Sequence, residues 1–393
     1  MGSQLPEWII DADSHVTEPA DLWTSRVASK WGDLVPHVAW DPDNNEQGWF
    51  VGDKKVFSVG GAAMAGWELP FPSRPATYEE AHPGSYDATA RLKMMDEVRI
   101  YAQVLYPNIC GFGGQSFLFL KEPELIMDCV RAYNDFQSDW VRPAPERFVQ
   151  IAVIPFWDIK ETVKEVERCA AKGHAGILFT GSPQKFDQPY IGDRHWDPLW
   201  SVAQETGLPI TFHIGGGDAP ESYSEKRLEV SGFPTAFALV TVGFLLSNCM
   251  QVSDLLLSGV LPRFPKLKFI CVESGIGWVP YILEALDHEF LYVGLNKSRP
   301  EFEMLPSEYF KRHIYVCFSY EQTGPQRLID KVGVENILFE TDFPHPGCLY
   351  GDVSETIEAS LGEQPREIRR RILFDNAAEL YRVKVPTFAT SQV

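Results

Sequence analysis

Eight short apolar runs, each followed by a stretch of helical periodicity, restrict the fold of this chain more than any other feature of its sequence. Continuous apolar runs such as residues 268–272 are typical of strands that are buried on both faces, as in a parallel sheet. Eight strands alternating with helices predict an α/β fold, a closed (β/α)8 barrel, with a doubly wound open sheet as the alternative. The predicted strands cover residues 8–13, 101–106, 148–154, 175–179, 209–213, 267–273, 314–318 and 337–341.

Clear helix signals lie between these strands. Residues 158–172 place apolar side chains at helical spacing and stop before Gly173, and residues 196–206 stop before Gly207. Glycine readily ends a helix because it adopts the left-handed conformation. The longest apolar stretch, residues 236–250, is shorter than the roughly 20 residues of a membrane-spanning helix and contains polar side chains. We therefore predict a buried helix there and no membrane segment.

One region interrupts the alternation of strands and helices. Residues from about 35 to 85 are rich in glycine, proline and tryptophan. We interpret this segment as an insertion after the first strand that lies over the barrel mouth. The whole chain, residues 1–393, is then a single barrel domain.

Composition excludes some classes of partner. The net charge of −19 argues against nucleic acid, because phosphate binding requires clustered lysine and arginine. The cysteines form no CxxC pair, and Cys271 and Cys317 lie within strand-like runs, so a disulfide framework is not expected. The first residues lack the basic and apolar regions of a signal peptide. These features favour a cytoplasmic protein that acts on a small molecule.

Polar side chains occur where several predicted strands end. Asp13 and His15 end the first strand, His213 the fifth and Glu273 the sixth, and Asp342 follows the eighth. The carboxyl ends of all strands of such a barrel meet at one rim, where active sites form. We therefore predict a divalent metal site in which these five residues are the candidate ligands.

Each of these residues also has an ordinary structural interpretation. An aspartate after a strand often caps a helix, and a lone histidine is more often a structural residue than a ligand. A structural role is the alternative for Glu273 and also for His288, a further candidate. Glycine-rich residues 111–114 and 213–217 match neither the dinucleotide fingerprint nor the phosphate loop, and no GxSxG elbow is present. The occurrence of the whole set at strand ends favours the metal site.

The sequence resembles the amidohydrolase superfamily, and within it the branch that contains aminocarboxymuconate-semialdehyde decarboxylase. The resemblance lies in residues 10–15 (IDADSH), His213, residues 341–345 (TDFPH) and residues 375–381 (DNAAELY). It spans nearly the whole chain outside the insertion. It implies a metal-dependent barrel and a homodimer. Members of this branch catalyse non-oxidative decarboxylation, C–C bond hydrolysis and related hydrolyses.

Two positions depart from the pattern of this branch. The usual His-x-His of the first strand is Asp13-Ser-His15 here, and the strand-six position, commonly histidine, is Glu273. A carboxylate at the first position is known among decarboxylases of the branch, so that change does not decide the reaction. The second change removes a histidine that many members use as an acid or base.

Charge counting in the predicted site raises the question of a second ion. One divalent cation with two carboxylates and two neutral imidazoles is nominally neutral, and Glu273 adds a further negative charge. We therefore expect either that Glu273 is protonated or paired elsewhere, or that a second metal ion binds with Glu273 and His288 among its ligands. The oxygen-rich ligand set admits Zn, Mn or Fe.

The residues favour a hydrolase. A metal-activated water would cleave an amide, thioester or C–C ketone bond, with Asp342 as general base and Glu273 and His288 as further catalytic candidates. An anionic rim suits a neutral acyl centre better than the carboxylate that a decarboxylase brings to its metal. The alternative is a metal-dependent non-oxidative decarboxylase of an aromatic or unsaturated acid, in which Arg194 or Arg227 would hold the substrate carboxylate.

Aromatic residues in segments near the predicted mouth indicate a bulky apolar substrate. The substrate-binding candidates are Trp49, Trp67, Phe112, Phe233 and, close to the rim, His345. Packing of the insertion is the alternative role for these aromatic side chains.

Overall fold

The computed structural model describes residues 7–217 and 224–385, and its central feature is a closed barrel of eight parallel strands. Two backbone hydrogen bonds close the barrel. The N–H of Asp342 donates to the carbonyl oxygen of Asp13 at 3.0 Å, and the N–H of His15 donates to the carbonyl oxygen of Phe343 at 2.7 Å. The predicted (β/α)8 barrel is therefore confirmed. The strands are β1 (Ile9–His15), β2 (His37–Asp41), β3 (Glu46–Val51), β4 (Lys54–Ser58), β5 (Ile100–Tyr106), β6 (Phe148–Val153), β7 (Gly176–Leu178), β8 (Ile210–His213), β9 (Phe269–Val272), β10 (Ile314–Phe318) and β11 (Ile337–Phe339).

Strands neighbour one another in the barrel in chain order, β1-β5-β6-β7-β8-β9-β10-β11. Every residue of β1, β5 and β6 is buried, as expected for strands covered on both faces. Cys271 and Cys317 lie buried in β9 and β10 as free thiols, which agrees with the sequence analysis. Because the strands are parallel, their carboxyl ends all lie at one rim of the barrel.

Helices surround the barrel. Asp158 caps the predicted helix over 158–172 by accepting the backbone N–H groups of Lys160 and Glu161. Gly173 and Gly207 end the two predicted helices with left-handed φ angles of 98° and 67°. The α-helices are α1 (Ala88–Glu97), α2 (Pro123–Trp140), α3 (Ile159–Lys172), α4 (Asp197–Thr206), α5 (Glu225–Ser258), α6 (Val260–Arg263), α7 (Val279–Tyr292), α8 (Leu295–Ser298), α9 (Pro306–His313), α10 (Thr323–Arg327), α11 (Ile329–Val332), α12 (Val353–Leu361), α13 (Arg366–Arg370) and α14 (Asn376–Tyr381).

Helix α5 corrects the prediction of a buried helix over residues 236–250. The helix is broken at Gly232, and its exposed face carries Leu246 and Met250, which are 58% and 65% exposed. Its other face packs on the barrel, where the Asn248 amide donates to the carbonyls of Phe212 and Val272. Among the described residues, α5 is the one helix whose length and composition would allow it to cross a membrane.

Residues 37–58 form a separate antiparallel sheet in the order β2-β3-β4. The chain that follows this sheet reaches the barrel rim. There the backbone N–H of Met64 donates to Pro344 at 2.7 Å, and the Thr17 hydroxyl donates to Ala62 at 3.1 Å. The segment between β1 and β5 therefore contacts the loop that follows β11.

Candidate metal centre

Five polar side chains converge at the C-terminal rim of the barrel. Asp13 and His15 come from β1, His213 ends β8, and Glu273 and Asp342 follow β9 and β11. Nε2 of His15 lies 3.4 Å from an oxygen of Asp13 and 3.5 Å from one of Asp342. Nε2 of His213 lies 3.4 Å from the other oxygen of Asp13 and 3.7 Å from Oε2 of Glu273. The structure therefore brings all five predicted ligand candidates together.

Hydrogen bonds to main-chain carbonyls orient both histidines. Nδ1 of His15 lies 3.1 Å from the carbonyl oxygen of Pro107, and Nδ1 of His213 lies 2.8 Å from that of Ile214. A carbonyl only accepts, so Nδ1 carries a proton and Nε2 is the nitrogen available to bind a metal ion. The two Nε2 atoms face each other across 3.2 Å. Metal-ligating histidines are typically fixed by such an outward hydrogen bond.

Three carboxylate oxygens of the cluster lack hydrogen-bond donors. Both oxygens of Asp13 and Oδ1 of Asp342 are buried and accept no hydrogen bond. A buried carboxylate is costly unless it is paired or coordinates a cation. The ligand atoms of Asp13, His15 and His213 all lie within 4.8 Å of one another. This set of imidazole nitrogens and carboxylate oxygens fits a divalent metal ion.

Glu273 and Asp342 share a left-handed backbone conformation. Their φ angles are 58° and 57°, which is uncommon for residues other than glycine and is concentrated at functional sites. The buried carboxylate of Glu340 stabilises the first of these turns, because its Oε2 accepts the backbone N–H of Glu273 at 3.0 Å. Two carboxylates are thereby directed to one cluster.

Burial raises the pKa of both Glu273 and Asp342 well above the usual values of carboxyl groups. The second cause is a neighbouring negative charge, that of Asp342 for Glu273 and that of Asp13 for Asp342. A metal ion stabilises the charged form of the carboxylate that binds it. An ion held by Asp13 and Asp342 would keep Asp342 ionised, and Glu273 would then be the member of the pair that carries a proton.

A cavity of about 430 Å³ opens onto this cluster. The acidic part of its lining comes from Glu273, Glu321, Glu340 and Asp342, and the Glu273 side chain is 24% exposed. Val242 and Leu245 of α5 and the indole of Trp278 provide apolar walls. The cavity therefore combines carboxyl groups with surfaces that an aromatic ring can pack against.

Two of the predicted substrate-binding residues contact the cluster. Phe112 stacks on the ring of His213 with centroids 4.8 Å apart. His345 stacks on His15 at 3.7 Å, and its Nδ1 lies 2.9 Å from Oδ1 of Asp342. Both residues therefore belong to the immediate surroundings of the candidate metal ligands.

The contacts that the structure shows for the other three substrate candidates are with residues outside the cluster. Phe233 stacks on Phe71 and lines a second cavity of about 390 Å³ between the insertion and α5. Trp49 is 1% exposed and packs edge-on against Trp23 at 5.3 Å, because its position in β3 directs it into the core. The indole N–H of Trp67 donates to the Ser73 hydroxyl at 3.2 Å. The assignment of Trp49 to the substrate site is therefore corrected, and that of Trp67 stays a prediction.

His288 is also corrected as a catalytic or ligand candidate. It is exposed on α7 and stacks on Tyr292 of the same helix. Helix α7 starts at the rim and runs away from it, rising about 1.5 Å per residue, so a side chain late in this helix is too far away to bind the metal.

Buried residues outside the set of predicted site residues hold the cluster in place. The carboxylate of Asp11 accepts the Thr341 hydroxyl at 2.6 Å and the Gln103 amide at 2.8 Å. The fully buried guanidinium of Arg91 donates to Gln103 at 3.1 Å and to the carbonyl of His15 at 2.6 Å. Arg91 lies in a helix, and nothing in its sequence context distinguishes it from an exposed arginine.

Asn108 is also absent from the predicted site, although its position just after a strand is the same signal that identifies the metal ligands. It follows the end of β5, and its Oδ1 lies 2.6 Å from Nε2 of His345. Its backbone N–H donates to the buried carboxylate of Glu18 at 2.7 Å. The predicted site includes only charged side chains and histidines at strand ends, so it leaves out an amide in the equivalent position.

The chain belongs to the Amidohydrolase family, whose sequence profile matches residues 10–383. This membership confirms the resemblance inferred from the motifs. Among solved structures, an amidohydrolase from Mycobacterium avium subsp. paratuberculosis K-10 superposes with a TM-score of 0.74 at 24% identity, covering 96% of this chain and 100% of that one.

Relatives of known activity are decarboxylases. Gamma-resorcylate decarboxylase of Rhodococcus jostii strain RHA1 is 25% identical over 309 residues, covering 75% of this chain and 87% of the relative. A dihydroxybenzoic acid decarboxylase from Polaromonas sp. JS666, solved with bound manganese and the inhibitor 2-nitroresorcinol, has a TM-score of 0.62 at 20% identity and covers 97% and 98% of the two chains. The preference for acyl-bond hydrolysis, thioesters included, was therefore wrong. That preference assumed that an anionic rim repels a substrate carboxylate. A bound divalent ion makes the local charge positive, so the assumption fails.

Proposed function

We propose that this chain is a metal-dependent non-oxidative decarboxylase of a hydroxylated aromatic carboxylic acid. The observation that carries the proposal is the position of Asp342, which belongs to the candidate metal cluster and also lines the cavity. A substrate in this cavity lies against the metal ligands and against the carboxyl group of Glu273. The relatives that decarboxylate resorcylate and dihydroxybenzoate support the choice of substrate class.

The substrate carboxylate has no cationic side chain to bind in the cavity. No lysine or arginine is among the described residues that line it. Arg194 is exposed and pairs with Asp197, and Arg227 is exposed on α5, so neither can serve as the clamp considered in the sequence analysis. Asp13, His15, His213 and Asp342 would hold a divalent ion, which would supply the positive charge needed to bind and polarise the carboxylate. The first ion to test is Mn²⁺, which one of the relatives binds.

The reaction needs a proton at the carbon that loses carbon dioxide. The bond between ring and carboxylate breaks, carbon dioxide leaves, and the electron pair stays on the ring carbon. That carbon takes a proton from the enzyme, which recovers it from solvent, so one proton is consumed for each carboxylate converted. Glu273 is the group placed to deliver it, because it lines the cavity and keeps its proton beside Asp342.

The walls of the cavity fit a planar substrate. Trp278, Val242 and Leu245 offer apolar surface for the ring, and Phe112 packs on His213 at the cluster. We propose that the insertion covers the mouth of the barrel, since its Met64 contacts the loop after β11 and its Phe71 packs against Phe233 of α5. Exclusion of water by such a cover would strengthen the interactions with the bound carboxylate.

The experiment that tests this function is product analysis with the Mn²⁺-loaded protein in D2O. We expect carbon dioxide release from a panel of mono- and dihydroxybenzoates, with one deuterium in the product at the vacated ring position. Asp342→Asn should abolish turnover, whereas the matched control Glu289→Gln, at an exposed position of α7, should leave it unchanged. Absence of carbon dioxide from the whole panel, with the metal bound, would contradict the proposal.

A further inference from the structure

Three histidines at the rim, rather than two, are oriented alike. For His15 and His213 the outward nitrogen lies within 3.1 Å of a backbone carbonyl oxygen, and the inward nitrogen faces the carboxylates. His345 follows the same pattern, although its roles are exchanged. Its Nε2 points outward to Oδ1 of Asn108 at 2.6 Å, and its Nδ1 points inward.

The position of the proton on His345 follows from the hydrogen bonds of Asn108. The Nδ2 group of Asn108 donates to the carbonyl of Val16 at 2.9 Å and to a carboxylate oxygen of Glu18 at 3.2 Å. The carbonyl of Val16 only accepts, so the orientation of the amide is fixed and its Oδ1 must face His345 as an acceptor. Nε2 of His345 therefore carries a hydrogen, and Nδ1 of the neutral ring carries a lone pair.

This lone pair lies among other acceptors. Nδ1 of His345 is 2.9 Å from Oδ1 of Asp342, yet that oxygen accepts no hydrogen bond, so the ring does not direct an N–H along the line between them. The ligand atoms of His15, Asp342 and His345 all lie within 4.8 Å of one another. Acceptors this close in a buried site need a shared proton or a cation between them, and the neighbouring metal cluster is a source of the cation.

We propose that His345 binds the divalent metal through Nδ1, as a third imidazole ligand beside His15 and His213. The proposal rests on the metal centre of the proposed function and changes the role of His345 from substrate contact to ligand. Asn108 acts as its positioning residue, and the buried carboxylate of Glu18 holds Asn108 in turn. A third neutral nitrogen donor adds no charge to the centre, which therefore stays balanced by the carboxylates of Asp13 and Asp342.

The test counts the imidazole nitrogens bound to the metal, without turnover. Protein labelled with ¹⁵N at histidine and loaded with Mn²⁺ is measured by pulsed electron paramagnetic resonance. We expect three directly coupled imidazole nitrogens in the unmodified protein and two in His345→Ala. His37→Gln, which changes a histidine of the insertion sheet, is the matched control and should keep all three.

A second measurement tests the role of Asn108. Loss of an outer partner of a metal ligand typically weakens metal binding by about 10- to 100-fold, so Asn108→Ala should raise the Kd for Mn²⁺ by that factor in calorimetry. Two nitrogens in the unmodified protein would overturn the proposal, even if His345→Ala failed to fold. Three nitrogens without carbon dioxide release from any aromatic acid would instead uphold the ligand and contradict the proposed reaction.

Discussion

The carboxylate of Asp11 accepts the hydroxyl of Thr341 at 2.6 Å and so joins the first barrel strand to the segment that follows the last. It also accepts the backbone N–H of Thr341 and the side-chain amide of Gln103, each at 2.8 Å. Close to this link on either chain segment are Asp13 and Asp342, two candidate ligands. Closure of the barrel and assembly of the metal centre therefore depend on the same buried carboxylate.

Asp11→Asn should destabilise the protein. An amide in this position turns N–H groups towards the donors of Thr341 and Gln103, and leaving buried polar groups unsatisfied costs about 1–3 kcal/mol. We expect the free energy of unfolding of the metal-free protein, measured in urea, to fall by about 2 kcal/mol. Thr341→Val removes one donor only and should cost about 1 kcal/mol. An Asp11→Asn variant as stable as the unmodified protein would show that the link contributes nothing.

Glu273→Gln distinguishes two possible roles of Glu273, that of a proton donor and that of a ligand of a second metal ion. If Glu273 delivers the proton, the variant keeps its metal content and loses about 100-fold or more in kcat, the usual contribution of a general acid. If Glu273 binds a second ion, the metal content measured by elemental analysis falls by one ion per chain. We expect the first result, because His288, the other proposed ligand of a second ion, is remote from the cluster. Unchanged kcat would remove Glu273 from the mechanism.

The architecture was predictable because its pattern is local. Strands buried on both faces are continuous apolar runs, and eight of them separated by helix-length segments indicate one type of barrel. The failure at α5 has a different origin. Apolarity predicts that a side chain avoids water, yet Leu246 and Met250 remain exposed in this chain. Their sequence context is the same as that of the residues that pack on the barrel.

The site was predictable only where strand geometry determines it. Asp13, His15 and His213 lie at strand ends, so topology alone brings them together. His288 lies in a helix, where sequence position does not indicate distance from the rim. Arg91 could not be recognised either, because its burial depends on contacts with Gln103 and His15 that are remote in sequence.

The contribution of His313 to the stability of the metal-free protein should decrease as the pH falls from about 6.5 to about 4. Burial lowers the pKa of His313 to about 4, against an ordinary histidine value near 6.5. Between these values the unfolded chain binds a proton that the folded chain does not, so unfolding becomes easier as the pH decreases. The contribution is fully present above pH 6.5. At about 1.4 kcal/mol for each pKa unit, up to about 3 kcal/mol is lost across the window.

His313→Gln isolates this effect. Glutamine can still donate to the carbonyl of Leu267, which Nδ1 of His313 approaches at 2.8 Å, but it does not titrate. We expect urea unfolding in EDTA, measured between pH 6.5 and 4, to take up about one proton fewer in the variant than in the unmodified protein. Parallel curves for variant and unmodified protein would assign the acid sensitivity to other groups, of which buried His174, with a pKa also lowered by burial to about 4, is the next to test.

Arg91→Lys tests whether the buried guanidinium acts through its geometry or its charge. Its nitrogens donate to His15 and Gln103, and the group lies 4.4 Å from the centroid of the Phe343 ring. Lysine keeps the positive charge, but its single ammonium cannot reproduce the planar fork. Loss of one hydrogen bond to a charged group should lower the free energy of unfolding by about 1.5–3 kcal/mol. Displacement of His15 should also raise the Kd for Mn²⁺.

Comparison with Arg91→Met separates the effect of geometry from that of charge, because methionine removes both the planar guanidinium and its positive charge. Without that charge the carboxylates attract a cation more strongly, so Arg91→Met should bind Mn²⁺ more tightly than Arg91→Lys despite a larger loss of stability. Calorimetric titration of both variants measures the difference. If Arg91→Lys bound Mn²⁺ as tightly as the unmodified protein, Arg91 would be a stabilising residue of the barrel with no part in positioning the ligands.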